Sequence, residues 1–190
     1  MCEMLAAAGV EVRALATTAT ERASRTGTVE YLRELGVTPQ LQRERGPRSR
    51  PEITFAQRGV QYRLLDIGPR GMNAWQKVVG SQFDLMFDDE LHGFRPDLML
   101  TFGGLAGDVR RHERAHRQGV KIVFGLRNDG YLASREFFAG MDGILTPSQF
   151  LSDFYRTAIG IESTPLPLPM EMEDVVAEER DPIFFTMINP

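Results

Sequence analysis

Hydrophobic positions along this chain recur at every second residue in some stretches and at every third or fourth in others, which separates strands from helices. The opening MCEMLAAAG has helical composition and stops at Gly9, a residue suited to a helix C-terminus. In VEVRALATT, Val10, Val12, Ala14 and Ala16 alternate with Glu11, Arg13 and Leu15, which predicts a strand. TVEYLRELG places Val29, Leu32 and Leu35 on one helical face and ends at Gly36. QLQRERGPRSRP, residues 40–51, has almost nothing apolar and reads as a loop. ITFAQRGVQYRLLDIG reads as two strand pieces joined near Arg58-Gly59.

The next stretch, NAWQKVVGSQFDLMFDDELHGFRP, is helical in period. Trp75, Val78, Val79, Phe83, Met86 and Phe87 share one face, and the helix must end before Pro96. DLMLTFGG predicts a buried strand running into a Gly-Gly turn, DVRRHERAHRQG a polar helix, and VKIVFGL a second buried strand. A short helix around ASREFFAG and the strand GILTPS follow. Ser148 then caps the helix QFLSDFYRTAIG, which Gly160 ends. Prolines keep STPLPLPM extended, and MEMEDVVAEERD reads as an acidic linker before a last apolar strand, IFFTMI.

Repeated strand–helix–strand units with central strands apolar on both faces predict a parallel sheet covered by helices, a doubly wound, Rossmann-like α/β domain. Ligands in that architecture lie beyond the carboxyl ends of the strands. The tips to watch are therefore Thr17–Thr18, Gly103–Gly104, Arg127–Asp129 and Pro147–Ser148. Such domains open with a strand and a glycine-rich turn, and neither stands before the first helix here. That strand would come from upstream residues or from another chain.

Composition narrows the partners. A chain of 190 residues can bury the core of one α/β domain, and a net charge of −4 gives no general attraction for nucleic acid or an anionic membrane. The single cysteine, Cys2, excludes an intramolecular disulfide and fits a reducing compartment. No apolar run reaches the roughly 20 residues that a bilayer-spanning helix needs. The start lacks the basic leader and cleavage pattern of a signal peptide. A cytoplasmic protein with no transmembrane segment is expected.

Four stretches in this order resemble the amino-terminal half of a family-four glycosyltransferase, a two-domain enzyme of the GT-B fold. CEMLAAAGVEVRALAT resembles the family's first helix and second strand, with Val10-Glu11-Val12 standing without the usual His. FRPDLMLTFGG resembles the strand that leads to a cleft loop. DGILTPSQFLSDFY and the later Gly160 resemble its strand–Ser–helix–Gly segment, with PLPLPM as the Pro-rich strand after it. IFFTMINP resembles the first strand of the carboxy-terminal domain. The resemblance implies a Rossmann-like acceptor-side domain over residues 1–170, a linker over 171–182, and the start of a truncated second domain at 183–190.

It further implies a retaining transfer of sugar from a nucleotide-sugar to a hydroxyl acceptor. The donor would bind the absent domain, so no cofactor is expected in this chain, which would be inactive alone. The family's donor-side glutamates stand eight apart. Glu171 and Glu179 have that separation but fall in the acidic linker, where it is chance.

Candidate acceptor-binding residues are Gly103, Gly104, Arg127, Asn128, Asp129 and Ser148. Each has a plain structural role beside the functional one: a tight turn for the glycines, turn chemistry for Asn128-Asp129-Gly130, and an N-cap for Ser148. Arg43, Arg45, Arg48 and Arg50 form the concentrated basic patch, a candidate anion site or a solvated loop. His112 and His116 are four apart on a polar helix, where solvent exposure is expected and no further metal ligand is in place. No residue is assigned a catalytic role. The competing function is a non-enzymatic Rossmann-like interaction module that pairs a strand edge with a partner chain, and a homodimer stays open. A receiver or flavodoxin-like domain would want acidic residues at the first strand tip, where Thr17 and Thr18 stand.

Overall fold

The computed structural model describes residues 1–18, 27–42, 49–68, 72–104, 106–133 and 135–167, and side chains of helical residues 72–79 and 106 are outside the description. The linker and terminal strand expected beyond residue 170 therefore lie outside the described residues. The element order is α1 (Cys2–Ala7), β1 (Val12–Thr17), α2 (Thr28–Glu34), β2 (Gln40–Gln42), β3 (Glu52–Gln57), β4 (Val60–Leu65) and α3 (Met72–Gly93). There follow β5 (Leu98–Thr101), α4 (Ala106–Arg117), β6 (Lys121–Gly125), α5 (Arg135–Phe138), β7 (Gly143–Thr146), α6 (Gln149–Ile159) and β8 (Thr164–Pro165).

The fold is mixed α/β. One sheet, in the order β5-β6-β7-β8, is parallel throughout. The other, β1-β4-β3-β2, pairs β1 with β4 in parallel and the rest antiparallel. The parallel expectation gives way at β3 and β4 because their connection is a two-residue hairpin. Arg58 and Gly59 both have positive φ, 45° and 80°, the combination a tight turn of that hand requires. Gln40–Gln42, expected as loop, is a strand paired with β3, although all three side chains are exposed. Its backbone joins the ladder with no apolar signal to announce it.

Helix ends follow the sequence cues. Gly9, Gly36 and Gly160 each have positive φ just past a helix. Ser148 Oγ accepts the Leu151 N–H at 3.3 Å and so starts α6. On α2, Leu32 is buried while Leu35, expected on the same face, stays 55% exposed past the helix end.

Helix α3 bridges the two sheets. Phe83 and Met86 pack with Leu65, the last residue of β4, and Ile67 just beyond it, while Phe87 and Leu91 pack with Ala115, Val120 and Ile122. Leu15 of β1 touches both groups. A third cluster, Phe124, Leu126, Phe138, Leu151 and Tyr155, lies between β6, α5 and α6. Full burial of each such side chain contributes about 1.5–3 kcal/mol.

Alternation along β5 sends Met99 to this helix-covered face and Leu98 and Leu100 to the other. There Leu98 is 53% exposed, so the strand is not buried on both sides as its apolar run suggested. Among the described residues β1 and β5 are edge strands and do not pair with each other.

Charges tie α3 to α4. Arg111 reaches Asp84 at 2.8 Å and Asp108 at 2.9 Å, and Arg114 reaches Asp84 at 2.9 Å and Asp88 at 2.7 Å. The helix expected to be polar thus buries one face. His112, expected to be exposed, is a buried residue whose ring lies 5.9 Å from that of Phe137. His116 keeps partial exposure and meets Asp142 at 2.9 Å. No described helix is long and apolar enough to cross a membrane.

Candidate functional site

Parallel pairing brings the carboxyl ends of β5, β6 and β7 side by side, with Thr101 opposite Phe124 and Gly125 opposite Leu145. The chain leaving these strands supplies Phe102-Gly103-Gly104, Arg127-Asn128-Asp129 and Pro147-Ser148. Five of the six candidate acceptor-binding residues thus come from two adjacent loops, after β5 and after β6, and Ser148 joins them from the third, at the head of α6.

The glycine pair is shaped by the protein's own side chains. A Cβ on Gly103 would stand 2.5 Å from the Asp108 carboxylate, and one on Gly104 would overlap the Tyr131 ring. Both glycines therefore admit close neighbours, one on α4 and one on the loop after β6. Gly103 N–H also bonds Thr101 Oγ1 at 3.4 Å.

Gly125, at the end of β6, carries the same logic into a shallow, open depression. A Cβ there would run into the Phe102 ring. With no side chain in the way, Phe102 lies over the strand, and the Arg127 guanidinium lies 4.0 Å above the ring centroid. Met1, Leu100, Leu145, Pro147 and Leu166 complete the lining. The floor is apolar, and Arg127 is the charged side chain in the lining. Alternation along β7 turns the Thr146 side chain away with Ile144, so its backbone borders the depression. Its buried hydroxyl has no hydrogen-bond partner among the described residues.

Asn128 is committed to its own turn. Its Oδ1 accepts the Gly130 N–H at 3.0 Å, and its carbonyl accepts the Tyr155 hydroxyl at 2.8 Å. The same hydroxyl accepts the Tyr131 N–H at 3.1 Å, so fully buried Tyr155 pins the whole loop after β6. Burial pushes the Tyr155 phenol above its ordinary pKa, against the lowering effect of the Tyr131 hydrogen bond, and it stays a neutral donor. Burial likewise raises the Tyr131 phenol, with the Asp108 charge adding to it. Asp129 is exposed beside this loop.

The other candidates do not join these tips. Thr18 is occupied: its hydroxyl donates to Asp66 at 3.1 Å and accepts the Ile67 N–H at 3.0 Å, which clamps the ends of β1 and β4. Arg43, Arg45 and Arg48 lie outside the described residues, whereas the Arg50 backbone exchanges two hydrogen bonds with Gln82 of α3. Cys2 is half-buried on α1. Among the described residues, no group of three or more His, Cys, Asp or Glu side chains could hold a metal ion.

Phe102, Gly125, Tyr131 and Tyr155 are the residues that sequence reasoning left out of this site. Their signal was weak: an aromatic just before a Gly pair, and a glycine ending an apolar strand. The chain has no match among protein-family models, curated proteins or solved structures.

Proposed function

We propose that this chain is the acceptor-binding domain of a retaining glycosyltransferase of GT-B architecture, built on a Rossmann-like sheet. The observation that carries the reading is the meeting of Gly103–Gly104, Arg127–Asp129 and Ser148 beyond one end of the parallel strands. A sugar or other hydroxyl acceptor would lie over those tips. A nucleotide-sugar donor would bind a second domain, and holding the two together would supply much of the rate. Within this domain the task is positioning: backbone groups at the glycine pair and the loop after β6 meet the acceptor hydroxyls. No general base is required of it in a retaining transfer of this kind.

Titration of the chain with neutral polyols, sugars and sugar nucleotides, followed by amide NMR, tests this. A hydroxylated acceptor should shift the amides of Gly103, Gly104 and Asp129, while sugar nucleotides should not bind this domain unaided. Shifts that are absent, or that map away from the strand tips, would sink the proposal.

A second reading has its own observation. Among the described residues β1 and β5 are edge strands under the same helix, and exposed Leu98 belongs to β5. An unpaired edge is a template for a strand from another chain. Under that reading the protein is an interaction module, and light scattering after size exclusion would find a stable dimer that ignores sugars.

A further inference from the structure

Among the described arginines, Arg13, Arg111 and Arg114 each lie over an aromatic ring, and each also meets a carboxylate within 4 Å. Arg127 lies over a ring and, among the described residues, forms no such ion pair. Asp129, two residues on, is exposed and is not within salt-bridge distance of it.

The stacking has a chemical consequence. A guanidinium held over a ring face spends none of its N–H donors on the ring and keeps them for a ligand. Those donors match two oxygens of a phosphate or carboxylate, and the stack fixes the side chain before any ligand arrives. The arrangement reaches back two layers, because Gly125 leaves the room that Phe102 fills beneath Arg127. Apolar Leu100 and Leu145 of the same depression border the ion pair that would form, with the Phe102 ring, itself 43% exposed, beneath it.

We infer that the acceptor carries an oxyanion, a phosphate or carboxylate group, and that Arg127 receives it. The inference rests on the acceptor-side reading for the rest of the ligand, and on Arg127, Phe102 and Gly125 alone for the anion. The acceptor hydroxyl that reacts would extend from this anchored end toward the Gly103–Gly104 tip.

The test is titration of the 190-residue chain with inorganic phosphate at low ionic strength, with chloride as the control, followed by the Arg127 side-chain N–H signal in NMR. Saturable shifts at Arg127 and Gly125 are expected with phosphate and not with chloride. Arg127→Met keeps the apolar stem and should weaken binding at least about tenfold, the scale of one charge-assisted hydrogen bond. Phe102→Leu should weaken it by a smaller factor, by freeing the guanidinium. Arg127 is exposed, so an unchanged amide spectrum elsewhere shows that the variant folds. Equal phosphate affinity in wild type and Arg127→Met would overturn the inference.

Two further outcomes separate it from the acceptor reading. Neutral polyols binding the tips while phosphate is silent would overturn the anion site and leave that reading standing. Arg127-dependent phosphate binding, with sugar phosphates no tighter than inorganic phosphate, would uphold the anion site and remove the acceptor.

Discussion

The carboxylate of Asp142 accepts the backbone N–H of Ile122 at 2.8 Å, joining the turn before β7 to the start of β6. The same group meets His116 and Lys121, each at 2.9 Å. Through it α4, β6 and β7 are held at the end of the sheet opposite the candidate site. The Ile122 hydrogen bond first, then Lys121 and His116, hold its carboxyl well below the ordinary value of 3.8. A carboxyl with a depressed folded pKa stabilises the fold above its unfolded pKa, and that contribution is lost as pH falls through the acid range below about 3.8. Asp142→Asn should lower the melting temperature at neutral pH and flatten that acid limb. Thermal melts across the acid range check both, and an unchanged limb would contradict the assignment.

His112 supplies a separate, milder limb. Burial lowers its pKa, which outweighs the raising effect of Asp108, while His116 and Arg111 add to the lowering. Its Nδ1 is buried and has no partner among the described residues. The unfolded chain therefore takes up a proton near 6.5 before the folded one does. Stability is full above about pH 6.5 and declines as pH falls below it. His112→Phe should remove this decline at a cost or gain of no more than about 1 kcal/mol at pH 8, because an unsatisfied buried nitrogen is replaced by a ring. Urea midpoints measured between about pH 5 and 8 decide it.

These groups show where sequence reading stops. The hairpin at Arg58-Gly59 and the α6 boundaries at Ser148 and Gly160 were legible because the turn or cap is a local property of the residues that make it. Gln40–Gln42 was not, since a short strand with exposed side chains needs only a backbone partner, which Ile53 and its neighbours provide. Leu98 reads as core and lies at an edge, because its exposure depends on what stands beside β5. His112 was not readable either: its burial depends on Phe137, 25 residues on, and on the ion pairs that seat Arg111 against α3.

The site divides in the same way. Its strand tips followed from the order of apolar runs and turn residues, which is a pattern along the chain. Its interior did not, because Phe102, Gly125 and Arg127 come from two strands whose adjacency is a matter of topology. Tyr155 is 24 residues beyond Tyr131 and could be linked to that loop only once α6 was seated.

Ser148 offers a direct measure of how much its site role owes to its cap role. Its Oγ satisfies the Leu151 N–H at the head of α6. Ser148→Ala should cost about 1 kcal/mol, and Ser148→Asn should recover most of it because Asn also caps and adds no charge. If acceptor binding falls with Ala and returns with Asn, Ser148 acts by seating the helix. Binding lost in both variants would identify a direct contact of the hydroxyl. Chemical denaturation beside ligand titration of the two proteins gives the answer.

Gly125 links the fold to the site through one steric fact: a Cβ at this position and the Phe102 ring cannot occupy the same space. In Gly125→Ala the strand cannot move, since β6 is held on both sides by β5 and β7. Phe102 must swing out, taking with it the surface on which Arg127 rests. Overpacking of this kind costs about 1–3 kcal/mol. Phe102→Leu removes the ring that clashes, so Gly125→Ala should cost less in that background than in wild type. A double-mutant cycle by urea denaturation should therefore show coupling of about 1 kcal/mol or more between positions 102 and 125. Strictly additive losses would mean that the ring is not held where Gly125 admits it, and the preset orientation of Arg127 would go with it.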